Sequence, residues 1–197
     1  MPPISKPAIA AHKAQLRREA AARRDALHER PASSAAICQR VIGLPAFQAA
    51  TAIHCFLPMR SEVDTRPVIA AALATGKAVA VPVVGRDGAL THSWIDTLDP
   101  ATFTHGQFGT PRPRHLRPAA IGAWSLTLVP LLAFDRAGYR LGYGKGYYDQ
   151  LLAAAGGMSV GVAFTCQELL ALPREPHDLP LDCIVTDAEV IIPLRAS

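Results

Sequence analysis

The sequence lacks both long apolar segments and paired cysteines. Half of the 197 residues are hydrophobic, yet no uninterrupted apolar run approaches the ~20 residues that a membrane-spanning helix needs. None of the four cysteines belongs to a CxxC pair, and none has a histidine at zinc-finger spacing. These absences exclude a membrane span and a zinc finger, and they predict that the thiols stay reduced.

The chain also has few charged residues and no pattern typical of a secretory signal. Charged residues make up 18% of the sequence, so a sizeable core can be buried and wholesale disorder is not expected. The N-terminus alternates alanine with charge and has no continuous hydrophobic centre, which is unlike a secretory signal. Glu19 and Asp25 argue against an organellar address. We therefore expect a cytoplasmic protein. The length fits one domain over residues 1–197. We also expect a monomer.

Basic residues are concentrated in two groups, and the formal net charge is +4. The groups are Lys6, Lys13, Arg17, Arg18, Arg23, Arg24 and Arg30, and then Arg112, Arg114 and Arg117. Such clusters attract any polyanion, including nucleic acids and nucleotide phosphates. A basic nucleic-acid-binding module is therefore an alternative, although the aromatic–basic interleaving of common RNA-binding domains is missing.

The N-terminal segment predicts a helix over residues 8–28 with two different faces. Two sets of residues recur at offsets of four and seven: Leu16, Ala20 and Leu27, and Lys13, Arg17 and Arg24. The apolar set predicts that the helix packs on the domain. The basic set lies on an adjacent stripe, so its cations can converge on one side, either as a solvated surface or as a binding face.

The order of the predicted elements is that of an α/β fold. Six short apolar runs predict strands, within residues 51–58, 77–84, 90–95, 124–135, 159–164 and 183–187. Between the first two strands the sequence predicts a helix, which is the βαβ order of a parallel pair. Further helices are predicted at 33–42 and 146–155. We predict a single-domain Rossmann-like α/β fold, with a mostly parallel sheet of about six strands flanked by helices.

Local signals mark the ends of the helix between the first two strands. Asp64 or Thr65 can cap its N-terminus, Pro67 suits its first turn, and Gly76 lies where a C-terminal glycine belongs. By contrast, residues 96–123 are rich in proline and glycine and form the longest weakly structured stretch. Loops of that length are often functional.

Five cysteine, tryptophan and histidine residues in strand-like runs are predicted to belong to the core. Cys55 and Cys183 lie in apolar surroundings, where a free cysteine behaves as a small hydrophobe. Trp94 and Trp124 are expected to pack within the protein instead of contacting a ligand. His54 lies inside an apolar strand and is expected to be a core histidine.

A glycine-rich segment follows the strand predicted within residues 124–135. Four glycines fall within nine residues, namely Gly138, Gly142, Gly144 and Gly146. The spacing does not fit a Walker A loop, because Gly138 is one position too far from the Gly–Lys pair and Gly146 replaces the required hydroxyl. It gives GxGxG, which also differs from the GxGxxG of dinucleotide-binding loops.

The same segment nevertheless predicts a phosphate-binding loop. Glycines at alternate positions allow consecutive backbone N–H groups to face one anion, and the N-terminus of the helix that follows favours negative charge. Arg140 and Lys145 add two cations. Asp149 in the first turn of the helix could hold Mg²⁺ against phosphate oxygens.

The run RLGYGKGYYD (140–149), preceded by VPLLAFDRAGY (129–139), resembles the signature of the 5-formyltetrahydrofolate cyclo-ligase family, also called 5,10-methenyltetrahydrofolate synthetase. The resemblance extends over most of the chain. It includes HKAQLRREAAARRDAL (12–27), FLPMRSEVDTRPVIAAALATGKAVAVPVV (56–84) and PHDLPLDCIVTD (176–187).

The resemblance implies an ATP- and Mg²⁺-dependent ring closure on a reduced folate. In this reaction the N5-formyl oxygen attacks the γ-phosphate of ATP, N10 traps the resulting iminium phosphate, and loss of phosphate gives the methenyl bridge. ATP is then a co-substrate, Mg²⁺ a cofactor and the folate a small-molecule partner, with no nucleic acid or membrane partner. Another small-molecule phosphotransfer on the same fold is the alternative.

The resemblance also implies a set of site residues. The ATP contacts are Lys13, Arg17, Arg140, Leu141, Gly142, Tyr143, Gly144, Lys145, Gly146, Tyr147 and Tyr148. Lys145 and Arg140 are the catalytic cations among them, stabilising charge on the transferred phosphoryl group. The folate contacts are Leu57, Glu62 and Tyr148, and the Mg²⁺ ligands are Asp149 and Asp178. Glu62 is expected to accept hydrogen bonds from the pterin edge, and Tyr147 or Tyr148 to stack near the ring.

Two features of the resemblance leave alternatives open. In FGTPRP (108–113), Arg112 stands where the family often has an acid, so Phe108 and its loop have no assigned role. Asp182 lies in the same PHDLPLD run as Asp178 and is the alternative second ligand for Mg²⁺.

Overall fold

The computed structural model describes residues 6–106 and 109–194, with the side chains of Lys6 and Pro7 left outside that description. Phe108, whose role the sequence leaves open, lies outside the described residues.

The regular structure of the described residues includes five α-helices, eleven short strands and short 3-10 helices at Pro100–Thr102 and Thr165–Gln167. The helices are α1 (Lys6–Asp25), α2 (Arg30–Gly43), α3 (Pro45–Ala49), α4 (Arg66–Ala74) and α5 (Tyr147–Ala154). The strands are β1 (Ala52–His54), β2 (Ala78–Val84), β3 (Leu90–Ile95), β4 (Phe103–His105), β5 (Pro111–Pro113), β6 (Leu126–Pro130), β7 (Ala133–Phe134), β8 (Arg140–Leu141), β9 (Met158–Val162), β10 (Cys183–Val185) and β11 (Val190–Ile191). Each of the predicted helices is present, with ends that differ by a few residues.

A seven-stranded sheet forms the centre of the fold, in the order β11-β10-β9-β6-β1-β2-β3. The five inner strands pair in parallel, and β3 and β11 run antiparallel at the two edges. β1, α4 and β2 form the predicted βαβ unit, with Ala52 opposite Ala78. The prediction of a mostly parallel α/β sheet is therefore confirmed.

All six predicted strands belong to the central sheet. The seventh strand, β11, has only two residues, which is too short to give a recognisable pattern in the sequence. Two other strand predictions need correction. Residues 96–123, predicted to be weakly structured, contain the two-stranded sheet of β4 and β5. β1 covers only Ala52–His54 of the predicted 51–58, since the chain leaves the sheet after Cys55, whose N–H donates to the Ala80 carbonyl.

Of the two residues predicted to cap α4, Thr65 does not. Thr65 is at the N-cap position, but its side chain makes no capping hydrogen bond, and its hydroxyl donates to the carbonyl of Phe56 at 2.6 Å. The Asp64 carboxylate accepts from the backbone N–H of Arg66, the first residue of the helix, at 3.1 Å, and also from the Arg66 guanidinium. Thr65 therefore ties the start of α4 to the chain just after β1. The proline in the first turn is confirmed.

The main core lies between the sheet and the helices. Ile53, Leu126, Leu128, Val160 and Phe164 have no exposed surface and belong to one contiguous apolar cluster. Burial of a large apolar side chain contributes roughly 1.5–3 kcal/mol. The two cysteines predicted to behave as small hydrophobes are also fully buried.

The predicted aromatic and histidine packing is also confirmed. Trp124 is 4% exposed, and its indole N–H donates to the Thr127 hydroxyl at 3.0 Å. The fully buried His54 stacks on Trp124 with ring centroids 4.8 Å apart, and its Nε2 lies 3.1 Å from Nδ1 of His92. Trp94 packs edge-on against Trp124. Burial lowers the pKa of both histidines.

Helix α1 packs its apolar face on the small β7–β8 hairpin. Ala20 is fully buried there and belongs to a cluster with Leu132, Ala133 and Leu141. This contact fixes the direction in which the basic stripe of α1 points. None of the helices described by the structure is long and apolar enough to cross a bilayer.

The turn before β9 provides a test of the fold. Gly157 has a φ of 88°, and a Cβ at this position would lie 2.4 Å from the carbonyl oxygen of Ser125. We expect Gly157→Ala to lower the free energy of unfolding by at least about 2 kcal/mol, because left-handed backbone alone costs an L-residue about 1–2 kcal/mol. Chemical denaturation measures the change.

Gly156→Ala is the matched control. A Cβ at Gly156 would meet no atom within 4 Å, and the loss of glycine's freedom in the unfolded chain is the same in both variants. We expect its stability to stay within about 1 kcal/mol of the wild type. Equal stability of the two variants would contradict the described turn.

Candidate functional site

A cavity of about 340 Å³ opens at the carboxyl edge of the sheet. Its walls include Phe56 after β1, Val84 at the end of β2 and Pro130 at the end of β6. The sheet order shows that the chain passes from β1 to β2 on one side and from β6 to β9 on the other. Ligands of open α/β sheets bind at such a point, where the strand order reverses.

All of the predicted site residues line this one cavity. They are Lys13, Arg17, Leu57, Glu62, Arg140, Leu141, Gly142, Tyr143, Gly144, Lys145, Gly146, Tyr147, Tyr148, Asp149 and Asp178. The cavity therefore joins α1, the segment after β1, the glycine-rich loop and the segment before β10.

Further lining residues were missed by the sequence analysis. Most of them are apolar: Phe56, Pro82, Val84, Leu90, Pro111 and Pro130. Phe56, Val84 and Pro130 could have been predicted from the sequence, because each lies at or near the carboxyl end of a parallel strand. Thr110 and Pro111 bring the 96–123 segment to the cavity, whereas Arg112 pairs with Thr104 in the β4–β5 sheet.

The glycine-rich loop is shaped around Arg17. The Arg17 Nε donates to the carbonyl of Gly142 at 2.9 Å. Gly144 has a φ of 89°, and a Cβ there would lie 3.1 Å from the guanidinium carbon of Arg17. Gly142 has neither constraint, since its φ is not positive and a Cβ would meet nothing within 4 Å. The loop therefore requires glycine at position 144 but not at 142.

Helix α5 begins directly at the cavity. Gly146 is its N-cap residue and has a left-handed φ of 70°. The next three residues line the cavity in the first turn of the helix, where backbone N–H groups have no intrahelical acceptor. Together with the helix dipole, these groups make the end of α5 favourable for an anion.

Four of the eight charged residues that line the cavity form two ion pairs with one another. Nη2 of Arg140 lies 2.7 Å from Oδ1 of Asp149, and Nζ of Lys13 lies 2.7 Å from Oδ2 of Asp178 and 2.8 Å from Oε2 of Glu175. Burial lowers the pKa of Arg140 in spite of its pairing with Asp149. Burial also opposes the charge of Lys13, but its hydrogen bonds with the two carboxylates outweigh that effect and raise its pKa.

Lys145 differs from these paired cations. Its side chain is exposed at the cavity, and among the residues described here no carboxylate lies within ion-pair distance of its ammonium. A cation that is held at the edge of an anion-binding loop without a partner can meet an incoming phosphate directly.

A buried carboxylate also lines the cavity. Glu62 is 8% exposed; its Oε1 accepts from the Tyr143 hydroxyl and its Oε2 from the Met59 N–H, both at 2.9 Å. Burial raises the pKa of Glu62, although these two hydrogen bonds act in the opposite direction. Because the carboxylate retains free lone pairs, it can accept further hydrogen bonds from a ligand.

Asp178 and Asp182, the two candidates for the second magnesium ligand, lie in different cavities. Asp178 lines the cavity, whereas Asp182 accepts from the backbone and hydroxyl of Ser159 at 2.8 Å each and lines a different cavity. No cluster of three or more potential metal ligands occurs in the described part of the chain. Of the two candidates for the second carboxylate, Asp178 therefore shares the cavity with Asp149.

The basic stripe of α1 is directed into the protein. Lys13 is 7% exposed and Arg24 is 2% exposed, and Arg17 bonds to the glycine-rich loop. These three charges are consequently not displayed on an outer face for a long polyanion such as nucleic acid.

Comparisons with known proteins agree on one family. The model of the 5-formyltetrahydrofolate cyclo-ligase family matches residues 9–187. The 5-formyltetrahydrofolate cyclo-ligase of Mycolicibacterium smegmatis is 35% identical over 71% of this chain and 75% of its own. The Escherichia coli K12 protein of the same name is 30% identical over 77% and 86%.

Solved structures extend the likeness to the fold. The NMR structure of 5,10-methenyltetrahydrofolate synthetase from Aquifex aeolicus has a TM-score of 0.81 and 31% identity, and the match covers 94% of each chain. A synthetase of the same name from Mycoplasma pneumoniae has a TM-score of 0.72 at 23% identity, covering 89% of this chain and 98% of its own, and it supports the fold alone.

The ion pair of Lys13 predicts a pH-dependent stability. The hydrogen bond from Lys13 lowers the pKa of Glu175 below 4.5. A carboxyl with a lowered pKa stabilises the folded state above its unfolded pKa, and this stability is lost as the pH falls through the folded pKa. We expect Glu175→Gln to lower the melting temperature at pH 7, by a difference that shrinks below about pH 4.5.

Glu29→Gln is the control for this measurement. Glu29 is exposed, and it makes no ion pair with the described residues. Its melting temperature should follow that of the wild type at each pH. A Glu175→Gln deficit that stayed constant from pH 7 to pH 3 would contradict the predicted linkage.

Proposed function

The chain belongs to the 5-formyltetrahydrofolate cyclo-ligase family, and from this membership we propose that it converts 5-formyltetrahydrofolate to 5,10-methenyltetrahydrofolate. ATP is the co-substrate, and ADP and phosphate are released. The enzyme is thus an ATP-dependent carbon–nitrogen cyclo-ligase. The expectations of a cytoplasmic monomer are carried over from the sequence as part of this proposal.

One observation carries the proposal. The anion-binding loop with Lys145 and the buried carboxylate of Glu62 open on the same cavity. A reaction between a nucleotide phosphate and a pterin-bound formyl group requires both an anion-binding loop and a group that binds the pterin within one cavity. A site that binds only phosphate would not need the buried carboxylate.

At the nucleotide end, the glycine-rich loop and the first turn of α5 hold the β- and γ-phosphates. Their backbone N–H groups and the helix dipole favour the negative charge. Lys13 and Arg17 add positive charge from α1. Arg140 and Lys145 stabilise the charge that develops on the γ-phosphoryl group during transfer, and Lys145 is suited to this because it makes no ion pair with the described residues that would have to break.

At the folate end, Glu62 accepts hydrogen bonds from the pterin edge. The Met59 N–H and the Tyr143 hydroxyl hold its two oxygens, so the carboxylate is oriented before substrate binds. Leu57 packs against the substrate, and Tyr147 or Tyr148 stacks near the ring. This positioning brings the N5-formyl group towards the loop.

The reaction then follows from the placement of the two substrates. The formyl oxygen forms a bond to the γ-phosphorus while the bond from that phosphorus to the β,γ-bridging oxygen breaks, releasing ADP. N10 attacks the iminium carbon and loses its proton, and the carbon–oxygen bond to phosphate breaks. The product is the methenyl bridge together with inorganic phosphate.

Asp149 and Asp178 are the residues that would hold Mg²⁺. Each carboxylate is paired with a cation of the cavity, and bound phosphates would compensate these cations if the carboxylates held the metal. When bound, Mg²⁺ supplies neutralisation of charge on the phosphate oxygens.

The direct test is the appearance of the methenyl product. We expect purified protein with 5-formyltetrahydrofolate, ATP and Mg²⁺ to produce the absorbance of the methenyl-folate, and no absorbance change without ATP. A folded protein that gives ATP turnover with other small molecules, but none with this folate, would favour the alternative phosphotransfer.

Two variants separate the role of Lys145 from a general effect of charge. Lys145→Gln is expected to lower kcat by about 10²–10³, because that is the usual loss when one group stabilising transition-state charge is removed. Arg117→Gln also removes one exposed cation, but Arg117 pairs with Asp96 outside the cavity and should retain the wild-type kcat. Equal kcat values for both variants would remove Lys145 from the mechanism.

If Asp149 and Asp178 hold Mg²⁺, removing either carboxylate should change the Mg²⁺ concentration that the reaction requires. Asp149→Asn and Asp178→Asn should each raise the Mg²⁺ concentration for half-maximal rate by at least about tenfold, since even changes outside the ligand sphere cost 10–100-fold in metal affinity. Asp182→Asn should leave that concentration unchanged. A raised requirement in Asp182→Asn alone would reverse the assignment.

A further inference from the structure

A continuous hydrogen-bond relay runs from α1 through the glycine-rich loop to Glu62. Nη2 of Arg24 donates to the Tyr143 hydroxyl at 2.9 Å. That hydroxyl donates in turn to Oε1 of Glu62 at 2.9 Å. Each donor–acceptor distance is that of a well-formed hydrogen bond to or from a charged group, and bonds arranged in a chain polarise and strengthen one another.

The cationic end of the relay is held inside the protein. Arg24 is 2% exposed, and its Nε donates to the Ser61 hydroxyl at 3.0 Å. The Ser61 hydroxyl donates to Asp25, next to Arg24 in α1. An isolated buried charge is costly unless it is paired and hydrogen-bonded, so Arg24 depends on the Ser61 and Tyr143 contacts.

The middle of the relay belongs to the anion-binding loop. Tyr143 lies between Gly142 and Gly144, and the backbone of the loop is set by the left-handed Gly144 and by Arg17. Tyr143 is 41% exposed, so packing alone does not hold its side chain. The position of its hydroxyl is therefore determined jointly by the loop and by its two hydrogen-bond partners.

From this geometry we propose that Arg24 and Tyr143 are positioning residues that aim Glu62 at the pterin and make folate binding depend on the nucleotide-bound form of the loop. The inference rests on the proposed function, because it takes Glu62 as a folate contact. A nucleotide bound by the loop holds Tyr143 in the position from which it already donates to Glu62. Folate then binds a carboxylate that is already oriented. Because the nucleotide has already ordered the loop and Tyr143, folate binding does not carry that entropic cost a second time.

The relay also acts on the charge of Glu62. The groups that face its carboxylate are Arg24 of α1, Met59 and Arg60 of the turn after β1, Tyr143 of the loop and Tyr148 of α5. Arg24, Arg60, the Met59 N–H and the Tyr143 hydroxyl favour the ionised form, while burial opposes it. Removing the Tyr143 hydroxyl removes one of the groups that keep the carboxylate ionised and ready to accept hydrogen bonds.

The test is a thermodynamic cycle measured by calorimetry. The dissociation constant of 5-formyltetrahydrofolate is determined with and without saturating ADP and Mg²⁺, for the wild type and for Tyr143→Phe. We expect ADP to tighten folate binding at least about fivefold in the wild type, which is the lower end of usual coupling between sites. In Tyr143→Phe we expect the ratio to fall towards one.

Tyr139→Phe is the matched control. Tyr139 is a tyrosine whose ring packs on an arginine, with the Arg174 guanidinium carbon 4.0 Å from its centroid, but it does not line the cavity of the loop. This variant should keep the wild-type coupling ratio. A wild-type ratio of one, or an unchanged ratio in Tyr143→Phe, would overturn the inference, whereas a wild type that binds no folate would overturn the proposed function instead.

The pH dependence of folate affinity gives a second readout that a purely structural role would not change. Affinity should be lost as the pH falls through the pKa of Glu62, and in Tyr143→Phe this loss should begin at a higher pH, because the hydrogen bond to the ionised form is gone. Arg24→Gln should shift the profile in the same direction. Superimposable profiles of wild type and Tyr143→Phe would contradict the relay.

Discussion

The parallel pairing of β1 with β6 is the constraint on which the rest of the structure depends. Ile53 lies opposite Leu126 and His54 opposite Thr127, so the carboxyl ends of the two neighbouring strands point to the same edge of the sheet. Because the chain leaves β1 towards α4 and leaves β6 towards α5, the segments after the strands diverge and open a crevice between them. Glu62 and the Lys145 loop are far apart in sequence, and they share a cavity because of this one pairing.

Ion pairs between cations and carboxylates compensate the charges of the crevice when no ligand is bound. Cations and carboxylates in the cavity form pairs such as Arg140 with Asp149 and Lys13 with Asp178. A buried ion pair adds little net stability, but removing one partner leaves a costly buried charge. Phosphate groups and a divalent cation can take the place of these partners without leaving a charge uncompensated. The pairs therefore have a structural role and a binding role at once.

The sequence pattern of α1 predicted part of the site but not its contacts. Offsets of four and seven indicated that Lys13, Arg17 and Arg24 lie on one stripe. They could not indicate that Arg24 reaches Tyr143 and Ser61, because that depends on how Ala20 docks on the β7–β8 hairpin. Thr65 as a cap of α4 was wrong for a similar reason, because its hydroxyl donates instead to the carbonyl of Phe56, nine residues earlier in the chain.

By itself, the sequence determined the order of the main helices and strands, the parallel βαβ unit and, through the resemblance to the family, a set of residues that all line one cavity. Periodicity and turn residues act over a few positions, so they specify the faces and ends of single elements. Only the tertiary structure decided that Asp178 and not Asp182 lines the cavity, that β11 closes one edge of the sheet, and that Tyr143 joins Arg24 to Glu62. Contacts between distant segments follow from strand order and helix docking, and no local pattern encodes these.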